Sequence, residues 1–310
     1  MSTPKNDDIP ELLQFPNATI GSPPKETNHL FEFPADDEIG PEMELMNSGR
    51  STAGVAHLHV SNSLDLSAKK KAIFWVGRGK TGKTTGIRWL SEVALTKGTP
   101  LLMADMDATN DTFSRYIANV ARPTEASDPA IALKWLDRLL QHALQQQTSL
   151  LVDLGGGDTT LRRLVTQLPD LVQLFEAQGF AVVLFYTVGP QEEDLSPLAT
   201  LQGLGFKPTA TAIILNEAMI DVGGTRETAF ARIYRHSVFR KAIEEGAMPV
   251  FMPCLLAAQQ VEVRRLKFRD AAEGKTGRTD TPLGPFDRSR VKKWLETMDV
   301  NFAAIKSWLP

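Results

Sequence analysis

Apolar residues in this chain come in short unbroken runs separated by longer stretches with helical spacing. The runs are AIFWV (72–76), PLLMAD (100–105), SLLVD (149–153), FAVVLFYTV (180–188), TAIILN (211–216) and PVFMP (249–253). They lack the polar alternation of a half-exposed strand, and so suit strands covered on both faces. Between them lie TTGIRWLSEVALTK, AIALKWLDRLLQHALQ, TLRRLVTQLPDLVQLFEAQ and TAFARIYRHSVFRKAIEE, each with apolar residues three and four apart. That is the spacing of a helix with one buried face. Alternating strand and helix predicts an α/β domain, a doubly wound, mostly parallel sheet with helices on both faces. The domain is expected over 68–310. It closes on a stripe of Val291, Trp294, Leu295, Met298, Phe302, Ile305 and Trp308, an amphipathic C-terminal helix expected to pack on the domain rather than on a membrane surface.

Residues 1–67 are rich in Pro, Asn, Ser and acidic side chains, and too poor in apolar ones to offset the entropy of ordering. They read as a disordered acidic leader, either a dispensable tail or a segment that folds on a partner through Leu30, Phe31 and Phe33. Charge sharpens the division. The 310 residues carry 34 Lys/Arg and 37 Asp/Glu, but residues 1–65 hold 11 acidic against 3 basic groups, which leaves the body at +5. Within the body, 264–293 has 10 basic and 4 acidic residues around a Gly/Pro-rich middle. This reads as a basic loop, either simply solvated or resting on nucleic-acid phosphates. No basic segment followed by a long apolar run opens the chain, and no window suits a membrane span, so a cytoplasmic protein is expected. The single cysteine, Cys254, excludes an intramolecular disulfide and sits among apolar neighbours that predict a buried thiol.

Candidate chemistry begins where AIFWV runs into GRGKTGKT, which fits G-x-x-x-x-G-K-[ST] at Gly77, Gly82, Lys83 and Thr84. Glycines let the backbone wrap closely enough for its N–H groups to face phosphate oxygens, and the following helix adds its N-terminal dipole. Lys83 would reach the β/γ-phosphates and the Thr84 hydroxyl would bind Mg²⁺. A strand before the loop and a helix after it complete the expected context.

The stretch Arg78-Gly79-Lys80-Thr81-Gly82-Lys83-Thr84-Thr85 resembles the K-G-G-x-G-K-[ST]-[ST] loop of the ParA/MinD family of deviant Walker ATPases, which includes plasmid-partition and conjugal-mobilisation proteins. The resemblance implies that Arg78 stands for the family lysine that crosses a dimer interface to the partner's nucleotide. Lys80 replaces a family glycine, and either weakens that crossing role, takes it over or points into solvent. LLMADMDATND is similar to the family's D-x-D-P-Q-x-N stretch, with Ala108, Thr109 and Asp111 in place of the Pro, Gln and Asn. It implies a water-positioning Asp107 and an Asp105 near the metal. SLLVDLGGGDTTL resembles a Walker B strand and switch, with Asp153 on Mg²⁺ through water and an amide of Gly155 or Gly156 sensing the γ-phosphate. Asn216, ending TAIILN, falls where the family contacts adenine.

The expected function is therefore a slow, partner-stimulated ATPase that binds ATP and Mg²⁺ and dimerises on ATP, in DNA partition or conjugal mobilisation. Lys83 and Arg78 would stabilise the transferred charge, and non-specific DNA is a possible partner. The alternatives are a biosynthetic ligase resembling dethiobiotin or cobyrinate synthetases, which needs a small-acid pocket beside the γ-phosphate, and a nucleotide-binding scaffold without hydrolysis, suggested by the glycines at 155–157.

Overall fold

A computed structural model of the chain describes residues 31–32, 57–58, 64–107, 112–123, 128–156 and 159–310. Most of the expected leader, including Leu30 and Phe33, lies outside the described residues, as do Ala108, Thr109 and Asp111. Two short strands, Phe31–Glu32 and His57–Leu58, pair antiparallel.

The body is a seven-stranded sheet. Its strands are β1 (Lys70–Gly77), β2 (Leu101–Asp105), β3 (Val120–Ala121), β4 (Ser149–Asp153), β5 (Phe180–Val188), β6 (Ala210–Asn216) and β7 (Met248–Met252). They lie in the order β3-β2-β4-β1-β5-β6-β7, every pair parallel. All the sequence-predicted strands are present. The two-residue β3 is the addition, too short and only half-buried to leave a pattern.

Helices cover both faces, as the unbroken apolar runs demand. On one face lie α3 (Pro129–Gln145), α4 (Thr160–Gln167), α5 (Leu171–Ala177), α6 (Ser196–Gly203), α8 (Ala231–Arg235) and α9 (Ser237–Glu244), sharing a core with Ala72 and Phe74 of β1. On the other lie α1 (Lys83–Lys97), α2 (Thr112–Tyr116), α10 (Ala258–Val263), α11 (Phe268–Glu273) and α12 (Pro285–Asn301), packed with Ile73 and Trp75. Neighbouring residues of one strand thus feed opposite cores. The 160–178 stretch divides at Pro169, which lacks the N–H that a continuous helix needs. The 226–245 stretch likewise breaks into α7 (Arg226–Ala229), α8 and α9.

The C-terminal stripe is buried as expected. Val291, Met298, Phe302, Ile305 and Trp308 join the α1 side of the core, and the Trp308 indole donates to the Leu64 carbonyl at 3.0 Å, tying the end of the chain to the start of the body. Cys254 departs from expectation, since its thiol is exposed. β7 ends at Met252, the Trp294 indole holds the Pro253 carbonyl at 2.8 Å, and the chain turns outward there. Partial burial and the Glu217 carboxylate still hold this thiol above its usual range. Among the described residues no helix is long and apolar enough to cross a membrane.

Candidate phosphate-binding site

β1 sits between β4 and β5, at the point where the chain stops adding strands on one side of the sheet and starts on the other. A crevice at the C-terminal ends of the strands opens at such a switch point. The loop Gly77–Gly82 leaves β1 there. A Cβ on Gly77 would stand 2.8 Å from the Thr187 carbonyl oxygen, so only glycine lets β1 run this close to β5. Gly82 takes φ 91 at the N-terminal boundary of α1, and a Cβ there would collide with the Asn216 amide. Inside the loop the Thr81 hydroxyl donates to the Arg78 carbonyl at 2.8 Å. Lys80 also adopts a left-handed φ, 68°, which explains why a glycine suits this position.

The start of α1 has no side-chain cap and no acidic residue in its first turn. Its first N–H groups are therefore left to an anion, with the positive end of the helix dipole behind them. Lys83 is the first helical residue and is buried, while Thr84 and Thr85 are half-buried beside it. Gly86 packs against the Trp75 ring with no room for a Cβ, which draws α1 onto β1. Loop, helix and sheet order together make a P-loop NTPase fold.

The acidic residues converge on this loop by register. Asp105 pairs with Asp153 across β2 and β4, and Trp75 of β1 pairs with Asp153 on the other side. Both carboxylates are buried. Asp105 accepts the N–H groups of Asp107 (3.1 Å) and Ser114 (3.3 Å), and Arg122 lies 3.9 Å away. Burial nonetheless outweighs these contacts and holds the Asp105 carboxyl above its usual range. Asp105 thus fixes the turn that carries Asp107, whose carbonyl accepts a hydrogen bond from the Arg122 guanidinium at 3.2 Å. A Cβ on Gly155 would stand 3.2 Å from the Asp107 carboxyl carbon, and one on Gly156 would overlap the Gly79 backbone. Gly156 therefore lies directly on the phosphate loop, and Gly155 on Asp107.

Two placements carry information that the sequence did not. Asn216 turns inward, 3% exposed, donating to the Thr81 carbonyl at 2.8 Å and accepting from the Ala218 N–H at 3.0 Å. It braces the loop from beneath. Arg78 reaches Asp194, which lies in the 3₁₀ turn Glu192–Leu195 before α6, at 3.3 Å. Asp194 is buried and also accepts the Gly189 N–H at 3.0 Å. With the arginine 46% exposed, the pair contributes at the level of a surface salt bridge, up to about 1 kcal/mol. Neither Asp194 nor Arg122 belongs to a motif, and no local signal marks either one.

No family model matches the chain, and no curated protein matches it. One solved structure that matches is the signal recognition particle receptor FtsY of Elizabethkingia anophelis, in complex with GDP. It is 12% identical over 76% of this chain and 66% of that chain, just under two thirds of it, with a TM-score of 0.38. A likeness this loose carries no argument, and the fold is read from the loop, helix and sheet order above.

Proposed function

We propose that the chain is an ATP-binding and slowly ATP-hydrolysing dimerisation switch of the ParA/MinD kind, acting in DNA partition or conjugal mobilisation. The observation that carries this reading is the loop Gly77–Thr84, closed on an uncapped helix N-terminus with an extra cation, Arg78, exposed at its rim. Within one subunit Lys83 suffices for the β/γ-phosphates. Arg78, turned onto Asp194, is available to exchange that partner for the nucleotide of a second subunit, where a guanidinium binds phosphate oxygens in a fork.

The donor set fits Mg²⁺. Thr84 offers a hydroxyl and Asp153 a carboxylate, all-oxygen ligands for an ion that keeps several waters. When bound, the ion would neutralise charge on the transferred phosphoryl. Asp107 would orient the attacking water, Lys83 would stabilise the equatorial oxygens, and the Gly156 amide, lying on Gly79, would sense the γ-phosphate. Arg265, Lys267, Arg278, Arg290, Lys292 and Lys293 of the basic stretch are exposed, which supports non-specific DNA contact through phosphates. A protein that stimulates hydrolysis completes the proposal.

Substituting Lys83 with Ala should abolish ATP binding in calorimetry. Substituting Arg78 and Lys80 together should abolish ATP-dependent dimers in light scattering, and dimers that persist would refute the switch. DNA retention should weaken steeply with salt.

One observation favours a ligase as the second reading. A cavity of about 190 Å³ adjoins the loop, lined by Gly77, Gly155, Gly156, Thr159, Arg162 and Thr200 among others. A small acid could sit there beside the γ-phosphate. Formation of a phosphorylated or amidated small product would favour this reading, whereas stimulation of ATPase by DNA would favour the switch.

A further inference from the structure

A second and larger cavity, about 410 Å³, lies toward the opposite end of the sheet from the phosphate loop. Its inner wall is Leu184 and Tyr186 of β5. Leu198 and Leu201 of α6 and Ala242 of α9 form its sides, and Lys207 and Glu245 stand exposed among its lining. That volume falls in the range of small-molecule sites.

Tyr186 makes the cavity more than a packing gap. The side chain is 2% exposed, yet its hydroxyl forms no hydrogen bond among the described residues. Burial alone, with no hydrogen bond contributing, holds this phenol protonated far above its usual range. The hydroxyl is not one of the sealed, partnerless atoms of the interior, and Tyr186 lines the cavity. Here a donor shares a cavity with Leu184, Leu198, Leu201 and Ala242 on one side and with polar residues at its outer end, the layout of a site for an amphipathic ligand.

The outer end has a different chemistry. Thr209 already donates to Glu176 at 2.8 Å and accepts the Val182 N–H at 3.0 Å, so it is engaged. Lys207 is the cation of the lining and Glu245 its anion. Val183 pairs with Ala210, which lines the cavity near Lys207, and Tyr186 lies three residues further along β5. At about 3.3 Å per residue the Tyr186 backbone lies roughly 10 Å along β5 from the Val183–Ala210 pair.

We infer that this cavity binds a small amphipathic acid. Its apolar or aromatic body would lie between β5, α6 and α9, a hydroxyl or carbonyl would meet Tyr186, and a carboxylate would meet Lys207. This site shares no polar residue with the phosphate loop and does not depend on the proposed ATPase.

The test is calorimetric titration of the full chain with 3-(4-hydroxyphenyl)propionate, whose dozen heavy atoms set an expected affinity of about millimolar. Tyr186→Phe should weaken binding about 5-fold and erase the preference over 3-phenylpropionate. Lys207→Gln should weaken it by a similar factor, and Glu245→Gln should strengthen it. Lys83→Ala, which removes nucleotide binding, should leave it unchanged, so failure of either proposal is read separately. No saturable heat at tens of millimolar probe, or binding indifferent to both Tyr186→Phe and Lys207→Gln, would overturn the inference.

Discussion

Replacing Asn216 with Ala removes a side chain that holds the phosphate loop from below. In the folded chain its amide donates to the Thr81 carbonyl at 2.8 Å and accepts from the Ala218 N–H at 3.0 Å, in a place where the residue is only 3% exposed. Each bond contributes about 1 kcal/mol net, and the buried carbonyl left unsatisfied adds about 1–3 kcal/mol. The expected loss is therefore about 3–5 kcal/mol of stability, read as a lower urea midpoint at unchanged slope. The loop loosens at the same time. Affinity should fall for ATP and for inorganic tripolyphosphate alike, by about 5- to 30-fold if 1–2 kcal/mol of the loss is felt at the phosphates. Tripolyphosphate has no base, so it isolates the brace, and a direct contact between Asn216 and adenine would appear as an extra loss confined to ATP. An unchanged urea midpoint, or tripolyphosphate affinity equal to the parent's, would refute the bracing role.

Lys80→Gly should stabilise the chain by about 0.5–1 kcal/mol, because a lysine at φ 68 carries a left-handed penalty that glycine escapes, while Lys80→Ala should change little; parallel urea melts decide it. Gly156→Ala drives a methyl into the Gly79 backbone and should lower ATP turnover by about 100-fold with the fold intact by circular dichroism. Burial, only partly offset by the Phe268 and Arg269 N–H groups, holds the Glu92 carboxyl above its usual 4.5. A folded value above the unfolded one means that its contribution is most favourable below 4.5 and is lost as pH rises through the raised value. The stability cost of Glu92→Gln, measured by denaturant melts from acid to neutral pH, should therefore be largest in acid and shrink as pH rises.

The strands and the phosphate loop were legible because each is written in consecutive residues. An apolar run such as FAVVLFYTV, short and rich in β-branched and aromatic residues, reads as a covered strand, and GRGKTGKT after a strand has few other uses. Lys80 runs against that local logic, since it holds a left-handed backbone, φ 68, that glycine suits better. What stayed hidden joins distant segments: Asp194 to Arg78, Arg122 to the Asp105 turn, Asn216 to Thr81. Such contacts depend on the angles at which elements pack, and no periodicity encodes them. Cys254 illustrates the cost, because apolar neighbours predicted burial for a residue that the Trp294–Pro253 contact turns outward.

The buried pair on α1 extends this point from structure to behaviour. Arg88, only 2% exposed, lies between the rings of Tyr116 and Phe268 at 3.5 and 4.5 Å and donates to the Leu266 carbonyl at 3.0 Å. Glu92, one turn on, accepts the Phe268 and Arg269 N–H groups at 2.8 and 3.1 Å. The helix that begins at the phosphate loop is thus clamped to residues 266–269, inside the basic stretch, and to α2, which follows the Asp107 turn. Each charge is held by hydrogen bonds to the 266–269 backbone rather than by the other, and these offset the cost of burying it without adding stability over an apolar residue. Their use on this helix is therefore better explained by geometry than by stability. They fix how α1 sits against residues 266–269 of the basic stretch.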